Sequence, residues 1–226
     1  MPVLHGRCWP WRALLASLLT CLLTSLSAAQ WEFSTIVQKA QQRYGHLGAA
    51  GDRLRQWEQL LDSARELPES EQLQRVNRFF NQHVRFVDDA VIWGRADYWA
   101  TPLEMLYQGA GDCEDYAIAK YFTLRQLGVS HDKLRITYVK ALTYNQAHMV
   151  LTYYPHPDSD PLVLDNLIGE IRPASARADL LPVYAFNAEG LYMPNAKARQ
   201  GDAKRLSRWQ DILTKMRAEG FAVGEG

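Results

Sequence analysis

Once residues 1–29 are set aside as a targeting segment, a single cysteine is left in this chain, Cys113. No intramolecular disulfide can then staple the fold. Its stability has to come from an apolar core and from whatever the chain binds. An exported protein with one unpaired thiol calls for an explanation, because oxidising compartments favour disulfides. The targeting segment is read from its layout. Arg7 and Arg12 form a basic start, Ala13 to Leu26 is an apolar run, and Ser27-Ala28-Ala29 supplies small residues at a cleavage point before Gln30. The run is shorter than the ~20 residues a membrane-spanning helix needs, which favours cleavage over an uncleaved anchor. Thr20 is bulkier than the residue that precedes a lipid-attachment cysteine, so Cys21 is not read as a lipid site. Cleavage removes Cys8 and Cys21 together. The expectation is a periplasmic or secreted protein formed by residues 30–226 as one domain.

Charge and length exclude several classes of function. The full chain of 226 residues has 25 basic and 25 acidic side chains. Beyond residue 29 there are 23 basic and 25 acidic residues, a formal charge of −2. Such a balance gives no general attraction to nucleic acid or anionic lipid. Hydrophobic residues at 47% and charged residues at 22% suit an ordinary globular domain with a real core.

The apolar spacing changes midway along the chain. Ser34 to Tyr44 predicts a short helix. A second opens at Gly51 or Asp52, with Leu54, Trp57, Leu60, Leu61 and Ala64 at helical spacing, and ends at Pro68. Glu69 to His83 predicts a third, with Leu73, Val76, Phe79 and Phe80 on one face. Val84 to Trp99 is aromatic without periodicity and reads as loop with short extended pieces. Thr101-Pro102-Leu103-Glu104 has the form of a capping box with proline at the first helical position, and Gly109 and Gly111 keep that helix short. Asp112 starts the next helix, which Gly128 stops. Three extended segments follow, at 134–142, 148–154 and 162–168, the last two separated by the turn-rich Pro155 to Pro161. Past Arg172-Pro173 the chain looks less regular, and Ala203 to Ala218 predicts a closing helix. Helices followed by strands predict an α+β fold with an antiparallel sheet.

Cys113 lies in the first turn of its helix. Free amide groups and the positive end of the helix dipole favour a thiolate there and can receive an oxyanion. A lone cysteine in general is more often a buried structural residue. Gly109, Gly111 and three flanking acids are poor company for that role. His148 stands at the mouth of a strand. The turn between the last two strands is centred near residue 157, so symmetric pairing would set His148 across from Asp165. An imidazole oriented by a carboxylate is what a cysteine nucleophile needs as its base. A slip of one residue would turn Asp165 to the other face, with Asn166 as the alternative orienter. His46, His83, His131 and His156 lie in helices, loops or turns that suit the role less.

Asp112, Glu114 and Asp115 flank the thiol and repel its thiolate. Asp112 and Asp115 can be explained as capping residues. That explanation does not need three acids and leaves the repulsion in place. A hard dication held by oxygen ligands would offset it, although the spacing is not that of an EF-hand.

The order of helix-borne cysteine, strand histidine and strand aspartate resembles the transglutaminase-like branch of the papain-type enzymes. Trp99-Ala100-Thr101-Pro102-Leu103-Glu104, then Gly109-Ala110-Gly111-Asp112-Cys113-Glu114-Asp115-Tyr116-Ala117-Ile118-Ala119-Lys120-Tyr121, His148-Met149-Val150-Leu151 and Asp165-Asn166, resemble the bacterial transglutaminase-like cysteine proteinases across roughly Trp31 to Trp209. This resemblance implies a papain/transglutaminase-like fold with Cys113, His148 and Asp165 as catalytic triad. It implies calcium bound through Asp112, Glu114 and Asp115. It also implies a periplasmic endopeptidase that cuts the N-terminal region of a large surface adhesin, controls biofilm attachment, and is sequestered by an inner-membrane receptor for cyclic di-GMP. Two other readings stay open at this level: an acyl transferase using the same triad, and a calcium-dependent binding module whose triad is vestigial.

Overall fold

The computed structural model describes residues 31–193, 201 and 207–223. The targeting segment and the first residues of the expected closing helix lie outside these. Three helices open the fold: α1 (Phe33–Tyr44), α2 (Ala49–Ala64) and α3 (Glu69–His83). A two-residue strand β1 (Arg85–Phe86), a single helical turn α4 (Asp89–Ile92), α5 (Pro102–Gln108) and β2 (Ala110–Gly111) lead to α6 (Cys113–Gln126). The second half supplies β3 (Leu134–Ala141), β4 (Gln146–Tyr153), β5 (Leu162–Leu164), β6 (Arg172–Pro173), β7 (Leu180–Phe186) and β8 (Leu191–Tyr192). The helix α7 (Ser207–Ala218) follows. The sheet order is β6-β5-β4-β3-β7-β8 with every pairing antiparallel, while β1 and β2 form a separate parallel pair. No helix among the described residues is long and apolar enough to cross a membrane.

α6 is the centre of the molecule. Its residues from Asp115 to Leu124 are all buried, as expected of a helix covered on every side. Ile118, Tyr121 and Phe122 share one apolar core with Phe80 of α3, Leu103 of α5, Leu151 of β4 and Trp209 of α7. Trp31, Phe33, Trp57 and Phe221 pack ring against ring with centroids 4.8–6.5 Å apart and tie the first and last described segments to α2. The Trp57 indole donates to Thr123 Oγ1 at 3.0 Å, so the buried ring brings its N–H partner with it.

The expected helices form where their signals stand. Thr101 Oγ1 accepts the Glu104 amide at 3.1 Å, and Glu104 Oε2 accepts the Thr101 amide at 3.0 Å. Glu104 is fully buried and also meets Arg43 (2.8 Å), Lys215 (2.9 Å) and the Tyr98 hydroxyl (2.8 Å), which joins α1, α5 and α7. Gly109 ends α5 with a φ of 61°. A Cβ there would sit 2.8 Å from Arg53 Cζ, whose guanidinium caps the helix through the carbonyls of Leu106 and Tyr107.

Three expectations need correction. The third extended segment stops at Leu164 instead of 168, because Asp165 Oδ1 accepts the Leu167 amide at 3.0 Å and turns the chain. The irregular stretch after Arg172-Pro173 contains β7, an internal partner of β3. The aromatic stretch 84–99 contains the helical turn α4.

Candidate active site

Cys113 is the first residue of α6, with Asp112 at its N-cap. Asp112 and Asp115 form a capping box; Asp115 Oδ2 accepts the Asp112 amide at 3.3 Å. Asp115 is fully buried, and its Oδ1 accepts the Ala100 amide at 2.7 Å. Gly111 makes room for this carboxylate: a Cβ at 111 would lie 2.9 Å from Asp115 Oδ2 and 3.1 Å from Met105 Cγ. The capping explanation for two of the three acids is therefore realised.

His148 lies on β4, one residue before Met149. His148 is 3% exposed and Asp165 1% exposed. His148 Nε2 lies 2.8 Å from Asp165 Oδ1. The Met149 amide, next along the chain, donates to Cys113 Sγ. The β4–β5 register differs from the symmetric one expected: Leu151 faces Leu164 and Thr152 faces Val163. Carried one residue further, it would set Asp165 opposite Val150, diagonal to His148 and on the same face, a separation that longer side chains span. With Nε2 committed to the carboxylate, Nδ1 is the nitrogen left for chemistry. The thiol itself donates to Glu114 Oε2 at 3.1 Å.

Asp165 is held from all sides. Its carbonyl accepts from Asn81 Nδ2 at 2.8 Å and Lys120 Nζ at 3.1 Å. Arg177 Nη2 reaches Oδ2 at 2.8 Å. Burial opposes ionisation, yet the His148 bond and charge, the Leu167 amide and Arg177 bring its pKa down to about 2.

The acids near the sulfur behave in the opposite way. Burial first, then the charges of Glu114, Asp115 and Asp89, push Asp112 up to about 10. Burial, together with Glu114, Asp97 and Asp88, pushes Asp89 up to about 6 against the pull of the Tyr98 amide. Asp115 is raised too, by burial and then by Glu114 and Asp89. The Cys113 thiol is driven far above its ordinary range by burial, then by the charge and hydrogen bond of Glu114, then by Asp112. Without compensation, the helix end does not win the thiolate.

The arrangement suits a hard cation. Carboxylate oxygens of Asp89, Asp112 and Asp115 lie within 4.8 Å of one another, as do those of Asp89, Asp97 and Glu114. Asp89 Oδ1 and Asp112 Oδ1 are buried with no hydrogen-bond partner. Buried, unpartnered oxygens in an all-oxygen cluster fit the donor set that a hard dication such as calcium takes. The clusters add Asp89 and Asp97 to the acids that sequence reasoning named, Asp112, Glu114 and Asp115. The adjacent acids Asp88-Asp89 in an otherwise aromatic stretch were the available signal.

The sequence pattern described as "Bacterial transglutaminase-like cysteine proteinase BTLCP" matches residues 55–178, a span that includes Cys113, His148 and Asp165. The chain belongs to this family. It is a transglutaminase-like cysteine proteinase, and its α+β fold is the one that assignment calls for. Among solved structures, Legionella pneumophila LapG is 45% identical to it. That match covers 83% of this chain and 98% of the other, with a TM-score of 0.73. The EGTA-treated form of the same protein matches at 45% identity and a TM-score of 0.74, over 83% of this chain and 98% of that one. Its calcium-bound form matches at 45% identity and a TM-score of 0.71, over 82% and 99%. A search of curated proteins finds no match.

Proposed function

We propose that this chain, after cleavage before Gln30, is a calcium-dependent periplasmic cysteine endopeptidase. Its substrate is the N-terminal region of a large surface adhesin, whose release ends biofilm attachment. Cys113 is the nucleophile, His148 the general base and acid, and Asp165 the orienting carboxylate. The observation that carries this reading is the buried pair that Asp165 forms with His148 of β4, the strand whose next amide, that of Met149, donates to Cys113 Sγ. The LapG structures, one of them calcium-bound, support the substrate class and the ion. Regulation through a LapD-type inner-membrane cyclic di-GMP receptor belongs to the same proposal and rests on the family alone.

Asp112, Glu114, Asp115 and Asp89 would hold the calcium. Bound there, the ion supplies positive charge that offsets the acids around the sulfur. His148 Nδ1 takes the Cys113 proton, while Asp165 keeps Nε2–H in place and stabilises the imidazolium. Sγ attacks the scissile carbonyl carbon, and first-turn amides of α6 receive the oxyanion. The imidazolium returns its proton to the leaving amine as the C–N bond breaks, leaving a thioester on Cys113. Water, deprotonated by His148, then hydrolyses the thioester and frees the thiol. Proton transfer of this kind contributes about 10²–10⁴-fold.

The test is incubation of residues 30–226 with the N-terminal fragment of a large adhesin from the same cell, in calcium and in EGTA, with an amine tracer present. Two discrete fragments in calcium, none in EGTA and none with Cys113→Ala are expected. Tracer uptake without fragments would instead make the protein a transferase. An inert wild type whose thiol is sluggish towards alkylation would leave only a binding module.

A further inference from the structure

Arg177 plays no part in the chemistry above, yet it is 2% exposed and bonded to the carboxylate that orients His148. It follows the 3-10 turn Ala174–Ala176, with its amide donating to the Ala174 carbonyl at 2.9 Å. Its guanidinium makes a fork. Nε donates to Asp179 Oδ1 at 2.9 Å, and Nη2 donates to Asp179 Oδ2 and to Asp165 Oδ2, each at 2.8 Å. The two hydrogens of Nη2 thus serve two different carboxylates.

Two consequences follow. The first is geometric. Asp165 Oδ1 is engaged by His148 Nε2 and the Leu167 amide, and Oδ2 by Arg177. With both oxygens fixed, the carboxylate plane cannot turn. The second is electrostatic. Asp179 offsets the charge of Arg177, so Asp165, Arg177 and Asp179 together carry one negative charge, as a lone Asp165 would. The orienting anion keeps its strength for an imidazolium while losing its freedom to rotate. Planarity and fork geometry are what lysine lacks.

We propose that Arg177, braced by Asp179, is a positioning residue that locks the Asp165 carboxylate so that Oδ1 stays on His148 Nε2 throughout the reaction. This rests on the reading of Cys113, His148 and Asp165 given above. Arg177 also lines a groove of about 510 Å³ on the sheet face turned away from α6, floored by Val139, Val150 and Val163. Removing its side chain therefore opens a path for a small cation from that side.

The test uses residues 30–226 with calcium and four variants, Arg177→Met, Arg177→Lys, Arg177→Ala and Asp179→Asn. Each is read by cleavage kinetics, by the rate of Cys113 alkylation with iodoacetamide, and by thermal melting. Misplacing a catalytic group by about 1 Å costs about 10²-fold in rate. Arg177→Met should lower kcat by that order with KM within about twofold, and should slow alkylation in parallel. Arg177→Lys should recover only part of the loss, and added guanidinium should raise the rate of Arg177→Ala. Asp179→Asn keeps the charge of Arg177 but loosens it, and should lower kcat with little change in melting; it decides the matter if the Arg177 variants do not fold. Native kcat in Asp179→Asn, full recovery by lysine, or losses that merely follow the melted fraction would overturn the proposal. A wild type that cuts no adhesin fragment would refute the substrate reading alone, since alkylation still reports on Arg177.

Discussion

Lys120 Nζ, buried in the middle of α6, donates to the main-chain carbonyl of Asp165 at 3.1 Å. The helix that carries the proposed nucleophile thus grips the backbone of its orienting residue. Burial brings the Lys120 pKa down to about 7, and the charge of Asp165 pulls the other way. A lysine whose folded pKa lies below its unfolded value of about 10.4 destabilises the fold most below pH 7, and the penalty fades as pH rises towards 10.4. Urea unfolding of the wild type should therefore show stability gained between about pH 7 and 10 from this residue. Lys120→Met should lack that rise, and an unchanged pH slope in the variant would contradict it.

Asp165 has the opposite linkage. Its folded pKa of about 2 lies below the unfolded value of about 3.9. The stability it contributes is complete above about pH 4 and is lost as pH falls through 2. Asp165→Asn should flatten this acid limb of the unfolding curve. It should also leave Arg177 without one of its partners and lower kcat by about 10²–10⁴-fold. Acid titration by circular dichroism and cleavage assays at neutral pH check the two parts separately.

Calcium should stabilise the protein as well as activate it. At 100 times its dissociation constant the ion adds about 2.7 kcal/mol to unfolding stability. Asp112→Asn and Glu114→Gln should lose most of that increment. Asp89→Asn should do the same, although Asp89 stands 24 residues before Cys113. Melting curves in calcium and in EGTA measure the increment directly; a full increment in Asp89→Asn would remove that residue from the site.

Glu104 ties three helices together. Burial disfavours its charge, but Lys215, Thr101 and Tyr98 hold its pKa below the usual value. Glu104→Ala should cost about 3 kcal/mol, because it strands Lys215 and the Thr101 amide. The cost should appear in the urea midpoint, with KM unchanged in the protein that remains folded.

What the sequence revealed, and what it hid, can be traced to particular residues. Local chemistry was legible: the Thr101–Glu104 box, the Gly109 stop and the Asp112–Asp115 cap all depend on residues within a few positions of one another. Strand β7 was hidden by Pro182, which argues against an internal strand. It is accommodated because the register shifts between Tyr138 and Val139, pairing Tyr138 with Tyr184 and Val139 with Pro182 and leaving Val183 as an extra residue. The His148–Asp165 pair was anticipated through a register two residues off, and the diagonal reach of the side chains makes up the difference. Lys120 and Arg177 had no local signal, because each acquires its role only through tertiary contact.

Asp165 is gripped by α3 through Asn81, by α6 through Lys120, and from across the sheet by Arg177. Hydrolytic power is thereby tied to integrity of the whole assembly. Loosening either layer would disarm the protease before its helices melt, so a damaged or half-folded copy would be harmless to neighbouring proteins.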